Sequence, residues 1–284
     1  MLKEQSFNTG FLTINYAQNH TQGLPLLLLH GIISRWQYFL PIIPSLSIRY
    51  NVYALDFRGH GKSDRAKGKY QLNDYVEDSI AFIQQKLTEP VVIFGHSVGG
   101  AVAILIAAKL PKAVKAIVVG DTPLCLESLQ KGIDPNLFVA WKKLASSGYS
   151  VKELAARLAD IPLSMHGQSK QTRLGDLPGM DAAFLEFEAK SLTQLDPDVL
   201  TPIIDGAMFE GYNDEELLPA VSCPVLLVQG NPLLGAAMTD TDVQRALPLL
   251  PQAIHIRIEN AGHELHLNQA QSVLRAITYF IESL

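Results

Sequence analysis

Residues 90–108 read PVVIFGHSVGGAVAILIAA. A short apolar run, a glycine-rich turn and a second apolar run follow one another, which predicts a buried strand, a tight turn and a helix. The turn has the pattern G-x-S-x-G, with Ser97 between Gly95 and Gly99. Glycines at these positions let neighbouring backbones approach closely, and a sharp turn projects the serine hydroxyl outward. The pattern therefore predicts a nucleophilic serine at the end of a buried strand.

Three further segments repeat the pattern of an apolar run that ends in a polar or glycine-rich turn. They are the leucines 26–29 before His30-Gly31-Ile32, residues 52–55 before the loop 56–64 (DFRGHGKSD), and residues 254–258 before Gly262-His263. The first two runs are typical of parallel strands buried on both faces, and the third alternates like a half-buried strand.

Together these pieces resemble the α/β-hydrolase superfamily, because its His-Gly turn, Asp-x-Arg-Gly-x-Gly-x-Ser loop, G-x-S-x-G turn and late Gly-His occur here in the expected order. The resemblance covers nearly the whole chain and implies an α/β fold with a mostly parallel, doubly covered sheet. It also implies a nucleophile at Ser97, a general base at His263, and an oxyanion hole formed by the backbone N–H groups of Ile32 and Val98. No metal or organic cofactor is implied.

The acid of the implied triad is where the sequence departs from the commonest pattern of this superfamily. An aspartate usually follows the strand equivalent to 224–229, but here residues 230–232 read Gly-Asn-Pro. A neutral amide such as that of Asn231 does not stabilise an imidazolium. Another group is therefore expected to orient His263.

Asp121 is the predicted acid, because it stands at the carboxyl end of the predicted strand 114–120, the edge at which open α/β sheets bind ligands. Its position resembles the relocated acid of some haloalkane dehalogenases and lipases. Asp240 and Asp242 are alternatives, although their position at a predicted helix start also favours N-capping. A site without a carboxylate partner is the remaining possibility.

The other polar residues near these motifs are predicted to support the structure. In the loop 56–64, Asp56 and Arg58 are expected to form a buried or half-buried pair that satisfies backbone groups. His96 is expected to support the turn around Ser97, and His266 is expected to pack beneath the loop that carries His263.

The order of predicted elements divides the chain into a core and an insertion. Strands and helices alternate through residues 1–121 and again through residues 219–284, which predicts one α/β core domain. Between them, residues 122–218 show helical patterns at 136–146, 151–160, 180–195 and 197–204. We therefore predict a helical cap inserted at 122–218, which we call the cap segment.

The composition is that expected of a globular enzyme. It predicts neither a nucleic-acid nor a membrane partner. The chain has 284 residues, 48% hydrophobic and 18% charged, with a formal net charge of −5 and 23 scattered Lys and Arg residues. That balance predicts no polyanion partner. The two cysteines, Cys125 and Cys223, are not in a C-x-x-C arrangement and are predicted to be structural thiols. The N-terminus lacks a signal-peptide core and no run is long enough to span a membrane, which predicts a cytoplasmic location.

These observations predict a serine hydrolase that cleaves a small carboxylic ester or related acyl compound through an acyl-enzyme. A carbon–carbon bond hydrolase is an alternative within the same fold. The unusual sequence after Gln229 motivates a second alternative, a small-ligand receptor with slow or no turnover, because fold alone does not decide function. The expected partner is a small acyl substrate, and the sequence leaves the oligomeric state open.

Overall fold

The computed structural model describes residues 2–131, 134–163, 172–177 and 179–284. Within these ranges the chain forms an eight-stranded sheet and a separate two-stranded ribbon. The strands are β1 (Lys3–Asn8), β2 (Thr13–Gln18), β3 (Pro25–Leu29), β4 (Asn51–Leu55), β5 (Val91–His96), β6 (Val114–Gly120), β7 (Pro162–Leu163), β8 (Thr172–Arg173), β9 (Val225–Gln229) and β10 (Ala253–Arg257).

The main sheet has the order β1-β2-β4-β3-β5-β6-β9-β10 and is parallel from β4 to β10, whereas β1 and β2 join it antiparallel. This confirms the predicted α/β class. β2 is covered by β1, which forms the edge of the sheet. The sequence of β1, Lys-Glu-Gln-Ser-Phe-Asn, offers a weak apolar pattern because an edge strand is only partly buried.

Helices cover both faces of the sheet, since side chains alternate between two hydrophobic clusters along each central strand. Leu27, Leu29 and Ile93 belong to one cluster, and Leu26 and Leu28 belong to the other. The helices are α1 (Ile43–Leu46), α2 (Leu72–Lys86), α3 (Val98–Lys109), α4 (Leu126–Lys131), α5 (Pro135–Ala145), α6 (Val151–Ala159), α7 (Ala182–Thr193), α8 (Thr201–Ile204), α9 (Asp214–Ala220), α10 (Asp240–Ala246), α11 (Leu265–Asn268) and α12 (Ala270–Glu282).

The cap segment contributes α4 to α9 and the ribbon β7–β8, and none of its described residues pairs with the main sheet. Capping explains where its helices begin. Ser150 and Glu153 form a capping box at α6, and Asp181 accepts a hydrogen bond from Phe184 N at the start of α7. Part of the cap segment, residues 164–171, lies outside the described residues.

The polar loop 56–64 is held together by different pairs from those predicted. Arg58 does not pair with Asp56. Its guanidinium instead donates to both carboxylate oxygens of Asp78, at 2.6 and 2.7 Å, and to Asp74 at 3.2 Å. Both acids lie on α2, so this buried ion-pair network attaches the loop to a helix, a contact that local spacing in the loop does not reveal.

Among the described residues, no helix combines the length and the apolar character that crossing a bilayer requires.

Candidate active site

Ser97 lies at the sharp turn between β5 and α3, with a φ of +55° and a ψ of −124°. A serine in this region of backbone space is strained, and the surrounding hydrogen bonds must hold it there. Ser97 N donates to Gly120 O at 3.0 Å, and Thr122 Oγ1 donates to Ser97 O at 2.8 Å. Both partners come from the end of β6, so the neighbouring strand holds the turn in place.

The glycines of the turn are required by close backbone contacts. A Cβ atom on Gly95 would lie 2.1 Å from Gly99 O, and one on Gly99 would lie 2.1 Å from Leu29 O. Neither backbone atom can move aside without disturbing β3 or α3. The turn can therefore form only with glycine at both positions.

Two backbone N–H groups beside Ser97 are without an acceptor among the described residues. Val98 is the first residue of α3, where an N–H has no intrahelical partner. Ile32 lies in the turn after β3, next to Gly31, whose Cβ position would be 3.1 Å from Ser97 Cβ. Such free donors, one from a helix start and one from a neighbouring turn, are suited to stabilise a negatively charged oxygen.

The side chain of His30 orients the turn that carries Ile32. Phe57 N donates to His30 Nε2 at 3.1 Å, so the proton lies on Nδ1, which donates to Gly31 O at 2.7 Å. Burial lowers the pKa of His30 well below its usual value, with a further contribution from the charge of His60, and keeps the ring neutral. Because a trans peptide directs C=O and the following N–H oppositely, fixing Gly31 O fixes the direction of Ile32 N–H.

The structure brings His263 and Asp121 together although they are 142 residues apart in the chain: His263 Nδ1 lies 2.6 Å from Asp121 Oδ2. Asp121 is completely buried, and it follows β6 with a φ of +42°. Its carboxylate also accepts three backbone hydrogen bonds, from Gly230 N at 3.1 Å, Ala237 N at 2.7 Å and Met238 N at 3.3 Å. Those bonds stabilise the buried negative charge and orient the carboxylate towards the imidazole.

The imidazole of His263 is held in a state suited to accept a proton. Burial lowers the pKa of His263, but the hydrogen bond and charge of Asp121 and the charge of Glu264 raise it, and the net direction is above its usual value. The Nδ1 contact with Asp121 leaves Nε2 as the nitrogen available for proton transfer. About 30% of the His263 side chain is exposed, so substrate can reach it.

The two other predicted histidines form a support beneath His263. His96, directly before Ser97, has its Nε2 2.9 Å from His263 O, and the two rings are 4.6 Å apart. His266 is fully buried and stacks on Phe39 at 5.0 Å. Burial lowers the pKa of both His96 and His266 well away from neutral pH, so both remain uncharged supports for the loop that carries His263.

The hydroxyl of Ser97 itself makes no hydrogen bond to any residue that the structure describes, and it is partly exposed. Contacts between a nucleophile and its base are often loose without substrate and tighten in the complex. Serine, imidazole, carboxylate and two free N–H groups thus come to one end of the parallel sheet, an arrangement that can carry out acyl transfer.

The alternative acids have other partners. Asp240 is exposed, accepts a hydrogen bond from Gln229 Nε2 at 2.9 Å and pairs with Arg257 at 3.1 Å. Asp242 is buried at the start of α10, where it forms a capping box with Thr239. Asn231 Oδ1 accepts from Leu233 N at 2.9 Å and begins a short helical turn. Within the described residues none of the three forms a hydrogen bond or ion pair with His263.

Four polar side chains near the site were missed by the sequence analysis. They are Tyr38, Arg35, Glu188 and Glu264. Tyr38 donates a hydrogen bond to Glu264, the residue after His263. Helix α7 of the cap segment carries Glu188 and the two residues that contact Arg35. Burial raises the pKa of Glu264 and of Glu188, and the charge of Glu264 raises the pKa of Glu188 further. Of the four, only Glu264 could have been noticed in the sequence, because it directly follows His263.

A groove of about 520 Å³ on the cap segment contains none of these residues. It is lined by side chains of α5 and α8 and their neighbours, which are Val139, Lys142, Lys143, Ser146, Thr201, Ile204 and Asp205. Several of its polar side chains are already engaged, because Lys142 donates to Thr201 Oγ1 and pairs with Asp198, and Ser146 Oγ donates to Lys142 O. Within the described ranges, no group of three or more His, Cys, Asp or Glu side chains is arranged to hold a metal ion.

The chain is similar to known proteins over most of its length. A family model described as alpha/beta hydrolase fold matches residues 25–270. The chain is 29% identical to 2-(acetamidomethylene)succinate hydrolase of Mesorhizobium japonicum, over 96% of this chain and 93% of that protein. It is 24% identical to pimeloyl-[acyl-carrier protein] methyl ester esterase of Stenotrophomonas maltophilia, over 93% of this chain and 95% of that protein.

The solved structures agree on the architecture. The crystal structure of an E-2-(acetamidomethylene)succinate hydrolase matches with a TM-score of 0.77 and 24% identity, covering 99% of this chain and all of the other. At this level of sequence identity the match shows only that the two proteins share a fold.

Proposed function

Because the chain is a hydrolase that belongs to the alpha/beta hydrolase fold family, we propose that it cleaves a small carboxylic ester through a covalent acyl-enzyme, with Ser97, His263 and Asp121 as its triad. The observation that carries this proposal is the 2.6 Å contact between His263 Nδ1 and the buried Asp121 Oδ2. The contact supplies the acid that the sequence after Gln229 lacks.

In the first half of the reaction, Ser97 Oγ attacks the substrate carbonyl carbon while His263 Nε2 takes the hydroxyl proton. The carbonyl oxygen becomes negatively charged and accepts hydrogen bonds from Ile32 N–H and Val98 N–H. The bond to the leaving alcohol then breaks, and His263 returns the proton to the alcohol oxygen. The product of this half is an ester between the acyl group and Ser97.

In the second half, water repeats the attack on the acyl-enzyme. His263 takes a proton from the water as its oxygen bonds to the acyl carbon, and the same two N–H groups stabilise the oxyanion. The bond to Ser97 Oγ breaks, the serine regains its proton from His263, and the carboxylic acid leaves. Asp121 keeps His263 in the Nδ1–H tautomer and stabilises the imidazolium in both halves.

The cap segment, 122–218, covers the site and sets which acyl groups fit. Its helix α7 supports this assignment, because Phe187 lies 6.4 Å from the Tyr38 ring of the core, and Tyr38 in turn lies 5.1 Å from His96. An aromatic wall of this kind suits the small-molecule acyl substrate expected as partner.

Hydrolysis of an amide or a carbon–carbon bond is the second candidate function. It is favoured by the Mesorhizobium relative, whose name describes hydrolysis of an acetamido compound and which aligns with 96% of this chain. The same nucleophile, base and oxyanion donors serve this reaction, with nitrogen or carbon as leaving group.

Labelling with a fluorophosphonate and turnover of 4-nitrophenyl butyrate test the proposal together. We expect the label on Ser97, a burst of about one nitrophenol per chain followed by steady turnover, and loss of both in Ser97→Ala. Ser222→Ala, an exposed serine, is the matched control and should retain both.

Full turnover by Ser97→Ala would overturn the proposal. Ligand-induced stabilisation without labelling or turnover would favour the receptor alternative. Labelling of Ser97 with turnover of amides but not esters would favour the second candidate.

A further inference from the structure

Arg35 is a buried cation between the core and the cap segment. It lies three residues after Ile32, and only 7% of it is exposed. Its Nε donates to Ser191 Oγ on α7 at 3.2 Å, and its guanidinium carbon lies 4.8 Å from the centre of the Phe187 ring on the same helix. The guanidinium plane is therefore held by one hydrogen bond and one aromatic face.

Most of the donors of this guanidinium are unused. An arginine carries five N–H donors, and in the described residues only Nε of Arg35 has an acceptor. Neither Nη group is among the fully enclosed atoms that have no partner, so each keeps some exposed surface. Four N–H groups of a largely buried guanidinium are thus left without an acceptor among the described residues.

No carboxylate neutralises this cation. No Asp or Glu of the described residues lies within 4.0 Å of the guanidinium, and residues 1, 132–133, 164–171 and 178 include no acidic residue. Asp56 is engaged by the N–H groups of Trp36 and Lys62 and by Asn15. Glu4 is engaged by Trp36 Nε1 and Lys62.

Glu188 is the remaining acid whose charge affects the pKa of Arg35, and it is a poor counter-ion. Burial and the charge of Glu264 raise the pKa of Glu188 well above its usual value, although Arg35 opposes this. Burial lowers the pKa of Arg35, and the charges of Asp56, Glu188 and Glu4 do not offset this change. A buried charge without a close partner is unfavourable, and a bound anion relieves that cost.

The position of Arg35 relates it to the proposed reaction centre. A continuous row of rings runs from Phe187, under the guanidinium, to Tyr38, His96 and His263, with centres 6.4, 5.1 and 4.6 Å apart in turn. Along the chain, Arg35 follows the turn that carries the oxyanion donor Ile32. The row of rings and the short segment 32–35 both connect Arg35 to the proposed reaction centre.

We infer that the Arg35 guanidinium binds a carboxylate of the substrate, separate from the carbonyl group that is attacked. The substrate class is then an acyl compound with a free acid group, such as a diacid monoester. The two Nη groups match the two oxygens of a carboxylate in a bidentate pair. This inference rests on the proposed function, because it assumes that Ser97 is the site of attack.

Matched esters test the inference. Monomethyl succinate, glutarate and adipate have the carbon chains of methyl butyrate, valerate and hexanoate but end in a carboxylate. We expect wild-type protein to prefer the acid member of at least one pair, and Arg35→Gln to lower kcat/KM for that member by about 10- to 100-fold, as expected for loss of a charged hydrogen bond. For its neutral partner we expect a change of less than about threefold.

Three further variants separate anion binding from other roles of Arg35. Arg275→Gln removes the same charge from the exposed face of α12 and should change neither ester. Ser191→Ala removes the hydrogen bond to α7 but leaves both Nη groups, and should affect acid and neutral esters alike by a small factor. Arg35→Lys retains the charge without the bidentate geometry and should fall between wild type and Arg35→Gln.

Protection of Ser97 provides a measurement that needs no ester turnover. Glutarate and adipate should slow fluorophosphonate labelling of wild type and of Arg275→Gln, but not of Arg35→Gln. Wild-type protein that shows no preference and no protection would overturn the inference, as would an equal loss on acid and neutral esters in Arg35→Gln. In both results Ser97 still labels, whereas failure of the proposed function removes the labelling itself.

Discussion

At the scale of single residues, the carboxylate of Asp121 has two roles in one position. Three backbone N–H groups and the His263 ring converge on its two oxygens. The backbone bonds stabilise the segment after β9, and the fourth contact fixes the tautomer of the proposed base. The backbone bonds need acceptor oxygens, one of which an amide keeps, whereas the role towards His263 needs the negative charge. An isosteric neutral residue should therefore separate activity from folding.

We expect Asp121→Asn to fold but to lose at least about 10²-fold in kcat, because a neutral amide neither stabilises the imidazolium nor enforces the Nδ1–H tautomer. One backbone N–H also loses a good acceptor, which should lower the free energy of unfolding by about 1–3 kcal/mol. Steady-state kinetics and chemical denaturation measure the two effects.

The pH profile of the same variant distinguishes a positioning role from general damage. His263 acts as a base only when neutral, and its pKa in the wild type is raised, so kcat/KM should fall as the pH drops through a value above about 6.5. Asp121→Asn removes the bond and charge that raise this pKa, so the acid limb should move to lower pH. Asp240→Asn is the control, and an unchanged limb in Asp121→Asn together with a shifted limb in Asp240→Asn would transfer the role to Asp240.

At the scale of elements, the start of α10 joins the core to the beginning of the cap segment. Asp242 Oδ2 accepts from Thr239 N at 2.9 Å and Thr239 Oγ1 at 2.7 Å, which is a helix cap. Its Oδ1 accepts from Leu124 N at 3.2 Å and Cys125 N at 3.3 Å, three to four residues after Asp121. One buried carboxylate thus ties α10 to the chain that leaves β6.

We expect Asp242→Ala to lower the free energy of unfolding by at least about 2 kcal/mol, because it removes a cap and leaves buried N–H groups without an acceptor. Asp240→Ala, two residues earlier, removes an exposed ion pair with Arg257 and a hydrogen bond from Gln229, and should lower it by only about 1 kcal/mol. Denaturation in urea measures both. Equal losses in the two variants would contradict the assignment of Asp242 as an element-joining residue.

At the scale of the whole molecule, the fold needs no disulfide. Cys125 and Cys223 are both free and buried. Burial raises the pKa of the Cys125 thiol to about 12, with further contributions from the charges of Asp214 and Asp242, and burial raises that of Cys223 to about 11. The thiolate is the reactive form of cysteine, so both side chains should be inert in the folded protein.

We expect a chromogenic disulfide reagent at pH 8 to react with neither thiol in native protein, at rates at least about 10²-fold below those of a free thiol, and with both in denaturant. Cys223→Ser leaves a single thiol at Cys125, so its labelling rate reports opening between α10 and the cap segment. Rapid reaction of a cysteine in native protein would mean that this junction opens without global unfolding.

Local pattern was sufficient for much of the molecule. The apolar runs that became β3, β4, β5 and β6, the glycine turn at Ser97, and most helices of the cap segment follow from hydrophobic periodicity and turn residues. These properties act between residues close in the chain, which is why the sequence by itself determined the α/β class and the nucleophile turn. The weak edge strand β1 was missed because little of its surface is buried.

The tertiary structure alone decided which distant charges meet. Asp121 rather than Asp240 or Asp242 faces His263, Arg58 pairs with Asp78 rather than Asp56, and Arg35 is left with unused donors beneath α7. Each outcome depends on sheet order and on how helices pack across the sheet, and these place residues together that are tens to hundreds of positions apart. An electrostatic partner is chosen by distance and burial in space, and neither is encoded in the spacing along the chain.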